Sequence, residues 1–137
     1  KKIISSLNNN LKVIFCFGET YKEKKDKNTN RIINKQITLA LKNVKNRNNI
    51  LFAYEPIWSI GTGKILNNND LEGCLFYIQK LLKSKFRIKK PKILYGGSVN
   101  SHTVKMFKNI NNIDGFLIGS ASLNVNKFID IIKKTYN

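Results

Sequence analysis

The sequence predicts an α/β protein in which four parallel strands alternate with helices. Two observations carry this. Four short apolar runs recur along the 137 residues, and they are continuous rather than alternating, as expected where helices cover both faces of a parallel sheet. Between them lie stretches whose apolar residues are spaced for helices, giving units of about the 30-residue size of a βα repeat.

In chain order, Lys1 to Asn10 reads as the remnant of a helix, and Val13-Ile14-Phe15-Cys16-Phe17 as the first buried strand. Ile33, Ile37, Leu41 and Val44 then share one helical face. Ile50 to Tyr54 forms the second run, followed by a helix burying Leu71, Leu75, Ile78 and Leu82. Asn69, three residues before Glu72, is the expected start of that helix in a capping-box pattern. Ile93-Leu94-Tyr95 is the third strand, and Val104 with Phe107 marks the helix after it. Phe116-Leu117-Ile118 is the fourth strand, and Asn124 caps a last helix carrying Phe128, Ile131 and Ile132. Asparagine-rich patches at residues 8–10, 46–49 and 67–69 fall at junctions between elements, where turns tolerate them. Periodicity alone leaves two architectures open, a doubly wound sheet and part of a (β/α)8 barrel, since both are built from right-handed crossover units.

Length and 42% hydrophobic content suit one domain, residues 1–137, with no linker inside it. No apolar run reaches the roughly 18 residues a membrane span needs, and no secretory signal is visible, so a cytoplasmic protein without a membrane partner is expected. Cys16 and Cys74 stand far apart in apolar surroundings, which predicts buried free thiols and a reducing compartment, with no metal site and no cofactor. A net charge of +17 by itself points to a nucleic acid or an anionic surface. Against that, Lys far outnumbers Arg, the lysines are spread through every segment, and Asn and Ile are over-used with them, as in AT-rich coding. Phosphate-reading surfaces concentrate Arg and aromatics along one stripe, so the sequence favours solvated helix faces over a nucleic-acid partner.

The chemistry concentrates in Ala53-Tyr54-Glu55-Pro56-Ile57-Trp58. Here a carboxylate stands at the C-terminal end of a buried strand, where active sites of parallel sheets form, and Pro56 ends the ladder because it has no N–H. Glu55 is therefore a candidate general base; the competing reading is a glutamate paired with a lysine at a loop entrance. Ser59-Ile60-Gly61-Thr62-Gly63-Lys64 follows directly, a small-residue loop whose glycines can turn amides toward an anion and whose ends can hinge. His102, the only histidine, lies near the start of a polar helix and reads as a surface residue.

Ala53 through Lys64 resembles, almost residue for residue, the catalytic-glutamate and mobile-lid signature of the triosephosphate isomerase family. Cys16-Phe17-Gly18-Glu19-Thr20, Tyr95-Gly96-Gly97-Ser98-Val99 and Asp114 through Leu123 resemble that family's fifth-, seventh- and eighth-strand motifs, in the same order. The resemblance implies the C-terminal half of a (β/α)8 barrel. It implies Glu55 as the base that moves a proton between the carbons flanking the carbonyl of a triose phosphate. Pro56, Ile57 and Trp58 would be the first hinge of the lid, Ser59 to Gly63, with Ile60 and Thr62, its tip, and Lys64, Ile65 and Leu66 its second hinge. The Gly61 and Ser98 amides would bind substrate phosphate, Tyr95 and Ser98 would latch the closed lid, and Gly119 and Ser120 would supply the remaining amides. Ser120 replaces a usual glycine, so a left-handed backbone or a tight approach there would be strained. Cys16 and Glu19 would support the site.

A whole barrel of this kind takes roughly 250 residues. The resemblance places Lys1 to Asn10 after the family's fourth strand, so strands one to four, with the lysine and histidine that polarise the substrate, are expected to be supplied elsewhere. The 137 residues alone are then expected to be nearly inactive. A homodimer is expected of the full-length family, through loops outside this chain, and a plastid location remains an alternative. Two other readings stay open: a non-catalytic phosphate-binding half-barrel and a basic nucleic-acid-binding module.

Overall fold

The computed structural model describes residues 1–136, in which a helix is followed by four strand-and-helix units. Helix α1 spans Lys2–Asn8, strand β1 Val13–Phe17, the short helix α2 Tyr21–Lys25 and helix α3 Thr29–Leu41. Strand β2 spans Ile50–Tyr54, α4 Asn68–Ser84, β3 Lys92–Tyr95 and α5 Ser101–Phe107. Strand β4 is only Gly115–Phe116, and a 3-10 turn, Ser120–Leu123, leads into α6, Val125–Tyr136. The four strands lie parallel in sequential order, β1-β2-β3-β4, forming an open sheet of partial (β/α)8 type.

Register decides what each face carries, because in-register residues of a parallel sheet point the same way. Phe17, Tyr54, Tyr95 and Phe116 form one row on the helix-covered face. Their rings run on from strand to strand, with Tyr54 and Tyr95 centroids 6.5 Å apart and Phe107 of α5 edge-on to Tyr95 at 5.3 Å. Ile33, Ile37 and Leu41 of α3 and Leu71, Leu75, Ile78 and Leu82 of α4 close over this face. Fully burying such a side chain is worth about 1.5–3 kcal/mol, so this layer is the main source of stability.

The opposite face departs from expectation. Cys16, Ala53, Leu94 and Gly115 share a row there, and toward β1 it is uncovered: Ile14 is 47% exposed and Cys16 is exposed, not buried. The continuous apolar run of β1 predicts two covered faces, but only the face toward the helices is packed. Cys74, by contrast, is buried in α4 as expected.

Three smaller differences have local causes. Helix α4 is capped by Asn67, not Asn69: the Asn67 side chain accepts from the Asp70 amide at 2.8 Å and donates to its carboxylate at 3.0 Å. Helix α2 exists because Thr20 and Glu23 form a capping box. On α6 only Ile131 is buried, while Phe128 and Ile132 stay 37% and 42% exposed. The Asn124 side chain does cap α6, accepting from the Lys127 amide at 3.1 Å. Among the described residues no helix is long and apolar enough to cross a membrane.

Candidate active site

The β2 chain leaves the sheet at Glu55, whose amide donates to the Phe17 carbonyl at 2.8 Å, while the Gly96 amide donates to the Tyr54 carbonyl at 2.9 Å. Two glycines make room for this carboxylate. A Cβ on Gly96 would stand 2.6 Å from the Glu55 Cγ, and one on Gly18 would collide with the Glu55 carbonyl oxygen. Gln36 of α3 holds Gly18 in place with a pair of bonds, accepting from its amide and donating to its carbonyl, both at 3.0 Å. Cys16 lies on the uncovered face beside Glu55. Partial desolvation of its sulfur, then the hydrogen bond to the Glu55 carboxylate and that group's charge, push the thiol up to about 12. It is therefore a neutral donor beside the carboxylate, not a thiolate nucleophile.

The loop after Glu55 is folded down onto the sheet. Pro56 and Ser59 are buried, Ile57, Ile60, Gly61, Thr62, Gly63 and Lys64 are exposed, and Leu66 returns to the core. Ser59, expected at the lid tip, belongs to its base: its hydroxyl donates to the Lys64 carbonyl and lies 3.5 Å from the Tyr95 hydroxyl. Ser98 bridges both arms of the loop, its hydroxyl donating to the Ser59 carbonyl and accepting from the Gly63 amide at 3.0 Å. The Thr62 hydroxyl donates to the Trp58 carbonyl at 3.0 Å and accepts from the Lys64 amide at 3.2 Å. Gly61 and Gly63 take φ of +69° and +76°, the left-handed region, so the turn at the tip needs glycine at both positions.

Glu19 anchors the first arm of the loop. It is fully buried, and its carboxylate accepts from the Trp58 Nε1 at 2.9 Å and from the Tyr54 hydroxyl at 3.1 Å. Its backbone carbonyl accepts from the Ile57 amide at 3.0 Å. Burial, with smaller contributions from the Cys74 and Glu19 side chains, holds the Tyr54 hydroxyl far above its ordinary range. Outside this cluster, Lys24 lies 3.9 Å over the Trp58 ring.

A cavity of about 870 Å³ joins the pieces at the C-terminal end of the strands. Glu55, the loop residues Ile60, Gly61 and Gly63, and then Ser98, Gly119 and Ser120 all line it. Ser120 opens the 3-10 turn, and it is not among the described non-glycine residues with positive φ. The left-handed backbone that would have strained a serine there is absent. Pro56, Trp58, Ser59, Thr62, Lys64, Tyr95 and Glu19 do not line the cavity but brace the loop and strand that do. Cys16 and Ile57 line a smaller pocket of about 430 Å³ on the other side of Glu55. Sequence reasoning missed Gln36, and it missed Lys127 and Asp130 of α6, which also line the larger cavity. No motif signals these three, because each acts only once the fold brings it to the site. His102 is exposed and lines neither pocket.

Comparison with known proteins bears on this arrangement. The family described as triosephosphate isomerase matches residues 1–135. A triosephosphate isomerase of Thermodesulfovibrio yellowstonii is 37% identical over 135 residues, covering 97% of this chain and 55% of that protein. Those of Saccharomyces cerevisiae and Candida albicans are each 42% identical, over 88% and 93% of this chain and 49% and 52% of their own lengths. The chain thus spans about half the length of the curated relatives it matches. The match runs through every strand of the sheet and through the glycine loop that follows Glu55, and on that basis the chain belongs to the triosephosphate isomerase family.

Proposed function

We propose that this chain provides the base and the phosphate-holding half of a triosephosphate isomerase, which interconverts dihydroxyacetone phosphate and glyceraldehyde 3-phosphate. The observation that carries the reading is the single cavity shared by Glu55, the glycine loop and the Ser98, Gly119 and Ser120 segment. In that reading the Glu55 carboxylate takes a proton from the carbon beside the substrate carbonyl, leaving an enediolate, and returns it to the neighbouring carbon. Amides of Gly61, Ser98, Gly119 and Ser120 hold the phosphate, so the reacting carbons stay at the carboxylate. The loop, latched by Ser98, keeps water from the intermediate.

Proton removal puts negative charge on the substrate oxygen, and that charge needs a preorganised partner. Among the described residues the only cation lining the cavity is Lys127 of α6, and the chain's one histidine is elsewhere. By resemblance to the family, that partner would be a lysine and a histidine of a complementary half, which would also cover the open face of β1. A direct test compares glyceraldehyde 3-phosphate conversion by the 137-residue chain alone and by the same chain joined to a four-strand half bearing those residues. The joined protein should be faster by orders of magnitude. A correctly folded joined protein no faster than the chain alone would refute the proposal, and micromolar binding of triose phosphate without turnover in both would instead support a non-catalytic phosphate-binding half-barrel.

A further inference from the structure

A second cavity, about 820 Å³, opens at the N-terminal end of the strands, opposite Glu55, between the segments leading into β1, β2 and β3. Its charge is not what dispersed lysines would give. Seven of its fourteen lining residues are Lys or Arg, against 25 of 137 in the whole chain, and two of the chain's three arginines are among them. Lys12, Lys45, Arg47, Arg87, Lys89 and Lys90 face it; Lys92 joins them but is paired with Asp114 at 2.7 Å, the one salt bridge among the described residues. Among the described residues, no Asp or Glu lines the cavity.

One of these cations lies beside an aromatic ring. Phe86 is half-buried in the groove wall, with the Arg47 guanidinium 5.8 Å from its centroid; the Lys85 ammonium, 5.6 Å from the same centroid, is outside the cavity lining and donates to Asn34 and Thr38. Arg47 is held by one long bond, donating from Nη1 to the Phe86 carbonyl at 3.4 Å, and its Nε is buried without a partner. That guanidinium is not committed to any carboxylate among the described residues. Chain folding thus gathers Arg, Lys and an aromatic along one concave strip, the arrangement that marks a phosphate-tracking surface. Coding bias explains the total of lysines but not this concentration.

We propose that the groove binds the phosphodiester backbone of single-stranded nucleic acid without sequence preference. A single strand brings closely spaced charges on a flexible backbone, with bases able to lie against Phe86.

The test is fluorescence anisotropy of labelled oligonucleotides, oligo-deoxythymidine and oligo-uridine of about 20 nucleotides, longer than the site size of a typical single-strand groove, across a series of salt concentrations. It compares Arg47→Gln/Arg87→Gln/Lys89→Gln with a charge-matched control, Lys105→Gln/Lys133→Gln/Lys134→Gln, on α5 and α6 away from the groove. The groove triple should weaken binding at least tenfold and make the log–log salt slope shallower by about 2, at about 0.7 for each phosphate no longer neutralised, while the control changes affinity less than about twofold. Because Arg47 is part of the packing, Lys89→Glu/Lys90→Glu, at two exposed positions, serves as a second variant and should weaken binding as strongly. Equal weakening in groove and control variants would overturn the proposal, as would absence of binding by either oligonucleotide. Displacement of the oligonucleotide by poly-glutamate as readily as by unlabelled strand would also overturn it, in favour of an acidic protein partner.

Discussion

Glu55 is set by its neighbours at the scale of single atoms. Its position depends on the absence of a side chain at Gly96, so Gly96→Ala should push the carboxylate aside and lower turnover of the complete enzyme far more than it lowers stability. Comparing kcat with the urea midpoint separates the two effects. Glu19 behaves differently, because it touches the loop and not the cavity. Glu19→Ala strands the Trp58 N–H and the Tyr54 hydroxyl, and leaving buried donors unpaired costs about 1–3 kcal/mol each. A loss of that order in equilibrium unfolding is expected; a change below about 0.5 kcal/mol would contradict the anchoring role, being the range of an ordinary surface substitution. That Glu55 and its glycine loop share one cavity was legible in the sequence because the two are adjacent in the chain. The partnership of Glu19 with Trp58, 39 residues apart, was not, and the exposure of Cys16 was hidden because an apolar run looks the same whether one face or two are covered.

Among the elements, the loop over Glu55 carries the sharpest expectation. One hydroxyl, on Ser98, ties both arms, so Ser98→Ala should release the loop, raise KM for the phosphorylated substrate and shift the emission of Trp58, the only tryptophan. An unchanged KM and spectrum would show that the arms hold without it. Helix existence was readable from apolar spacing, whereas helix starts were not. Asn67 and Asn69 both precede an acidic residue by three, and only the extended backbone at Asn67, φ −72° and ψ 164°, selects the first. The fourth strand is short, Gly115–Phe116; the Leu117 amide still donates to the Tyr95 carbonyl at 2.9 Å, and Leu117 and Ile118 then line the cavity.

For the molecule as a whole, the sheet is packed on one side and open on the other, and a cysteine on each side is held protonated above its ordinary range. Burial pushes the Cys74 thiol up to about 12 from an ordinary 9.0, and Cys16 rises to about the same value. Between those two values the unfolded chain has released protons that the folded chain still holds, so stability falls as pH rises. The unfolding midpoint should be insensitive to these thiols below pH 9.0 and decline from there toward about 12; Cys74→Ala should blunt the decline. Four strands in sequential parallel order were legible because each βα unit repeats the same pattern. The basic groove was not, since it is assembled from three segments that are far apart in the chain. The central claim is that Glu55 performs the proton transfer, and the most direct measurement is kcat for triose phosphate isomerisation by the barrel-completed protein with Glu55→Asp. Withdrawing the carboxylate by about one methylene should lower kcat roughly 100-fold with little change in KM, whereas a kcat within a factor of about two of the parent would contradict the account.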